Sequence, residues 1–194
     1  MTQVVEAENP ITSIGIEIEG GYNEKPNNLH FDGSVAIANV NYVGEVDSKP
    51  LSDLKEAQQW TSDNYPKWLN KTCAIHINLE IVNEKQFNRL KTVDFEKTFT
   101  QNAIMWGKKN HINTGSSFWT RLEGRNAYCT KGLDTRTRYK QLNFTNERTH
   151  IYGKNGKNII ECRLFPSFQK RKLSLSAVAF FYNLVSNYLR YSSY

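Results

Sequence analysis

Six consecutive residues, Ile14-Gly15-Ile16-Glu17-Ile18-Glu19, set out the chemistry this chain can offer. They alternate strictly, so a strand here has Ile14, Ile16 and Ile18 on one face and Gly15, Glu17 and Glu19 on the other. Two like charges on one side of a strand repel unless water or a cation lies between them. Gly15 leaves open space beside the two carboxylates, and the pair is read as holding a hard divalent cation in a sheet-floored cleft. An edge strand with a solvated acidic face shows the same alternation. The spacing recurs along the chain. Glu45 and Asp47 stand two apart, His76 and Asn78 lie on the polar side of a strand, and Glu161 and Arg163 share one face. Carboxylate oxygens are the expected ligands of magnesium, histidine is a less usual addition, and an arginine beside the last glutamate neutralises phosphate charge. Asp32 and Ser34 fall on one side of an Asp32-Gly33 turn signal, where turn chemistry and a substrate contact are equal readings.

The elements that must position these groups follow from periodicity. The first strand ends at Gly20-Gly21. Leu29 to Ala38 reads as a second strand interrupted at Asp32-Gly33, and Asn41 to Ser48 as a third, stopped by Pro50. Ser52 or Asp53 caps a helix from Leu54 to Asp63. In the fourth strand, Cys73 to Ile81, the apolar stripe Ile75, Ile77, Leu79, Ile81 backs the polar stripe Ala74, His76, Asn78, Glu80. Glu84 to Trp106 reads as one long helix closed by Gly107, with its apolar stripe against the back of the sheet. Gly115 to Asp134 is mixed helix and loop containing Arg121, Arg125 and Tyr128. Arg138 to Thr145 and Asn158 to Phe165 are the fifth and sixth strands, joined by a polar hairpin-like link, and an amphipathic helix at about 171–190 ends the chain. The order predicts an α+β fold with a mostly antiparallel sheet, helices on one face, and a polar, open second face.

Composition agrees with one globular domain over 1–194, at 39% hydrophobic and 12% aromatic residues. A net charge of +6 favours anionic partners without choosing among them. Cys73, Cys129 and Cys162 are scattered and odd in number, which fits a reduced, cytoplasmic setting better than a disulfide framework. The polar N-terminus shows no signal peptide, and no apolar run is long enough to span a membrane.

With these pieces in order, the chain resembles the amidoligase family, relatives of glutamine synthetase and glutamate–cysteine ligase. The matching pieces are Gly15-Ile16-Glu17-Ile18-Glu19, Asp32-Gly33-Ser34, Gly44-Glu45-Val46 with Pro50-Leu51, the strand around His76, Arg125 to Cys129, Arg138-Tyr139 with Asn143, and Ile160-Glu161-Cys162-Arg163-Leu164-Phe165. They span about residues 11–168. The resemblance implies a curved sheet like the glutamine synthetase catalytic domain, and an ATP-dependent carboxylate–amine ligase. In such an enzyme ATP phosphorylates a carboxylate and an amine then displaces phosphate from the acyl phosphate to form an amide. It implies Glu17, Glu19, Glu45, His76 and Glu161 as magnesium ligands, and Arg138 and Arg163 on ATP or acyl phosphate. Asp32, Ser34 and Asn78 would lie by the substrate, with Glu17, Glu45 and Arg163 the catalytic group. The substrates would be small-molecule or peptide carboxylates and amines. The chain departs from the family's His-x-His on the fourth strand, where Asn78 replaces a proton-transferring imidazole. That departure keeps open a catalytically inactive binding protein on the same fold. A basic nucleic-acid-binding module using Tyr22, Trp119 and Tyr128 is the third reading, weakened by an acidic face that repels phosphate unless metal is bound.

Overall fold

In a computed structural model the described residues are 9–133, 139–144 and 158–191. Isoleucine alternation builds the centre of the molecule. Strand β1 (Ile11–Tyr22) pairs antiparallel with β3 (Tyr42–Asp47) on one side and β4 (Ile75–Ile81) on the other. β2 (Leu29–His30) extends the sheet beyond β3, and β6 (Ile159–Cys162) and β5 (Leu142–Asn143) extend it beyond β4. The open six-stranded sheet runs β2-β3-β1-β4-β6-β5, with every described pair antiparallel.

Helices cover the apolar face. They are α1 (Leu54–Asp63), α2 (Glu84–Leu90), α3 (Val93–Lys109), α4 (Ser117–Leu122) and α5 (Arg171–Tyr191). Ile14, Ile16 and Ile18 join Ile75, Ile77 and Leu79 in one core with Phe95 and Phe99 of α3 and Phe181 and Val185 of α5. Phe99 meets Phe181 edge-on, with ring centroids 6.0 Å apart, and Trp106 packs against Phe118, Phe165, Phe168 and Phe180. The result is an α+β domain whose sheet carries helices behind it. Cys73, Cys129 and Cys162 are buried free thiols. Among the described residues no helix is long and apolar enough to cross a membrane.

Several expected boundaries move. β1 does not end at Gly20-Gly21 but runs on to Tyr22. The two glycines are needed because the 66–69 segment crosses there: the Pro66 side chain occupies the place of a Gly20 Cβ, and Gly21 N–H donates to the Trp68 carbonyl at 2.9 Å. Only Leu29–His30 of the expected second strand pairs, because the chain then turns at Asp32. The Asp32 carboxylate accepts from Ser34 N–H at 2.8 Å and its carbonyl from Val35 N–H at 3.1 Å. The expected long helix is two helices, broken at Lys91-Thr92, where Thr92 Oγ1 accepts from Phe95 N–H at 3.2 Å and restarts the chain as an N-cap. Gly107 does not close that helix, which continues to Lys109 with Phe118 lying against the glycine. The fifth strand shrinks to Leu142–Asn143; of the expected stretch Arg138 and Thr145, with the 146–157 link, lie outside the described residues.

Candidate metal centre

Register decides which polar residues meet. Glu17 stands opposite His76 on β4 and Asp47 on β3, Glu19 stands opposite Glu45, and Asn78 stands opposite Glu161. Because side chains alternate faces, a slip of one residue would send any of these groups into the core. The outcome is an imidazole surrounded by four carboxylates. His76 Nδ1 lies 3.0 Å from Glu17, 3.8 Å from Glu45 and 3.7 Å from Glu161, and Nε2 lies 3.9 Å from Glu19. Glu17, Glu19, His76 and Glu161 are all no more than 4% exposed.

The surrounding polar groups orient the carboxylates. Asn78 Nδ2 donates to Glu17 Oε1 at 2.9 Å, so Asn78 is a buried positioning residue of this cluster. Ala74 N–H donates to Glu19 Oε2 at 2.7 Å. Asn143 Nδ2 and Arg163 Nη1 donate to the two oxygens of Glu161 at 2.6 and 2.7 Å. Burial opposes the guanidinium charge of Arg163, but the Glu161 carboxylate outweighs it and holds the group above its ordinary value.

Burial pushes the Glu19 carboxyl up to about 7, with Arg121 working in the opposite direction. Burial also raises Glu45, reinforced by the charges of Asp47 and Glu19, and raises Asp47 against the help of His30. In all three, removal from water is the largest cause. Ligand atoms of Glu17, Glu45 and His76 all lie within 4.8 Å of one another, and so do those of Glu19, Asp32 and Glu45. Glu45 belongs to both groups. Oδ1 of Asp47 and Oδ1 of Asn78 are buried without a hydrogen-bond partner among the described residues. Buried oxygens left over in an acidic cluster fit a divalent cation better than a dry interior.

A cavity of about 280 Å³ opens beside the cluster. Glu19, Asp32, Ser34 and His76 line its acidic side, and Lys71, Arg121 and Arg163 its basic side. Tyr128 and Tyr139, half exposed, stand edge to face at 5.5 Å along its wall. Of the residues singled out in the sequence, Glu17, Glu19, Glu45, His76, Asn78, Glu161 and Arg163 converge on this centre, and Asp32 and Ser34 reach it from the turn after β2. Asp32 belongs to the group formed with Glu19 and Glu45 and also lines the cavity. Arg138 lies outside the described residues. Lys71, Arg121 and Tyr139 were not assigned to the site from sequence. A cation on a short helix ordinarily reads as a solvated side chain, and no local pattern marks Arg121 as buried. Comparison with family models, with curated proteins and with solved structures finds no match to this chain.

Proposed function

We propose that the chain is an ATP-dependent carboxylate–amine ligase that forms an amide through an acyl phosphate, on the polar face of a glutamine synthetase-like sheet. The observation that carries this reading is the pair of three-ligand groups sharing Glu45. Glu17, Glu45 and His76 would hold one magnesium ion, and Glu19, Asp32 and Glu45 a second. Bound there, the ions supply charge neutralisation for nucleotide phosphates, which is the main demand of phosphoryl transfer. The chain's own residues do the rest. Asn78 and Ala74 N–H hold Glu17 and Glu19 in place, and Glu161, itself held by Asn143, fixes Arg163, whose guanidinium carries positive charge on the cavity side. The test is calorimetric titration of magnesium–ATP into wild type and the double variant Glu17→Gln/Glu161→Gln, followed by a screen of carboxylate and amine pairs for ADP release. Binding in wild type that the double variant loses supports the site, and equal binding in both overturns it.

Asn78 supports a second reading, a binding protein without ligation. Its amide is already committed to Glu17 and cannot move a proton as an imidazole would. ATP binding without ADP formation across the screen is its signature. A nucleic-acid surface has less support. Tyr22 is buried with its hydroxyl donating to Ile18 O at 3.0 Å, and Trp119 packs on the core, which leaves Tyr128 as the exposed member of that trio.

A further inference from the structure

The basic side of the cavity holds a buried guanidinium whose hydrogen-bonding capacity is incompletely used. Arg121, on α4, is 4% exposed. Its Nη1 donates to Arg163 O at 3.1 Å and its Nη2 to Thr72 O at 3.4 Å, while Nε is buried with no acceptor. It makes no ion pair among the described residues, whereas its neighbour Arg163 is neutralised by Glu161 at 2.7 Å. Burial lowers the Arg121 value from its ordinary one, and the Glu19 carboxylate, beyond ion-pair distance, offsets that only in part. Even so a guanidinium stays charged, so the deficit must be met by an anion or tolerated as a cost.

The cavity is built to meet it. Arg121 and Arg163 line it, and so does Lys71, exposed and without an ion pair among the described residues. Arg163 bridges to the aromatic wall, with Nε 3.4 Å from Tyr128 O and its guanidinium carbon 5.9 Å from the Tyr139 ring centroid. The volume of about 280 Å³ sits just below the range of roughly 300–1,000 Å³ that holds a drug-sized ligand. A small acid fits; a whole nucleotide would have to lie mostly outside.

We propose that this cavity is an oxyanion subsite, in which Arg121 and Lys71 receive the carboxylate of a small organic acid whose ring or apolar tail rests on Tyr128 and Tyr139. In the ligase reading this names the acid side of the reaction, and the role of the subsite rests on that reading. Its ability to bind does not, because none of these residues belongs to the two cation groups.

The experiment uses the whole chain in EDTA without nucleotide. Benzoate, acetate and inorganic phosphate are titrated, and the Arg121 Nε–H resonance is followed by nitrogen–proton NMR after through-bond assignment. Benzoate is expected to move that resonance and to bind about tenfold more tightly than acetate, the aromatic wall supplying the difference. Lys71→Gln should weaken both acids about fivefold. Tyr128→Ala should abolish the preference for benzoate and leave acetate unchanged. Both positions are exposed, so these variants keep the test independent of Arg121 substitutions, which remove support from the Arg163 and Thr72 carbonyls. No movement of the resonance with any probe overturns the subsite. Movement with phosphate but not benzoate overturns the carboxylate assignment. A benzoate response in a protein that fails to bind magnesium–ATP sinks the ligase reading and leaves the subsite standing, while the reverse result sinks the subsite alone.

Discussion

Replacing Glu19 by glutamine should stabilise the cation-free protein at pH 8 and leave it nearly unchanged at pH 4. Burial raises this carboxyl from an ordinary 4.5 to about 7 in the folded chain. Below pH 4.5 both folded and unfolded chains carry the proton, and the group costs nothing. Between pH 4.5 and 7 the unfolded chain releases its proton while the folded chain keeps it, so stability falls as pH rises. Above pH 7 both are ionised and the loss is complete. At about 1.4 kcal/mol per pH unit, the shift corresponds to roughly 3 kcal/mol. The Glu19→Gln variant has no such loss, and its amide carbonyl oxygen can still accept the Ala74 N–H that Glu19 accepts at 2.7 Å. Because a neutral acceptor makes a weaker bond than a carboxylate, the expected net gain at pH 8 is about 1–3 kcal/mol. Urea unfolding in EDTA at the two pH values measures it. Adding magnesium should reverse the ranking: wild type gains about 2.7 kcal/mol at a hundredfold excess over its dissociation constant, and the variant gains much less. A variant destabilised equally at pH 4 and pH 8, with the same magnesium response as wild type, would show that Glu19 is only a hydrogen-bond acceptor and would refute the electrostatic argument.

Two further outcomes test the scaffold. Thr92→Ala should cost about 1 kcal/mol of stability by removing the N-cap of α3, and Thr92→Ser should restore it, both read by urea midpoint. Gly44→Ala puts a methyl group onto the His30 carbonyl oxygen, so β2 must separate from β3. A loss of about 1–3 kcal/mol and faster amide exchange at β2 are expected.

β1 and β4 were readable because isoleucines recur at every second position around Glu17 and His76, and β3 because Glu45 and Asp47 stand two apart beside Val46. β1, β3 and β4 each show which residues face the polar side, and α1 announces itself with Asp53 as a cap that accepts from Glu56 N–H at 2.8 Å. Neighbourhood was not readable. That Glu17 faces His76 and that Asn78 faces Glu161 depends on register between strands far apart in the chain, which nothing local encodes. β2 was overextended because Leu29 to Ala38 contains enough apolar residues to suggest a strand, while the Asp32 side chain offers the backbone a turn instead. The α2–α3 break has neither glycine nor proline. Its available signal was Thr92 followed by Asp94 and Glu96, a threonine cap with acids in the first turn. Arg121 was beyond sequence altogether, since its meaning comes from burial against two distant carbonyls.

The pairing of β4 with β6 has a consequence for how the molecule is made. β1, β3 and β4 occupy the first 81 residues, so Glu17, Glu19, Glu45 and His76 lie on strands that can pair early. Glu161 reaches Asn78 only after a loop of roughly eighty residues has closed, a step whose entropic cost must be met before the contact rewards it. Chain collapse can therefore bring negative charge together before Arg163 and the last strand arrive. On the proposed reading of the two carboxylate groups, a divalent cation would act during that interval on the folding chain as well as on the finished fold, drawing the acidic strands into register while the partner for Glu161 is still being assembled.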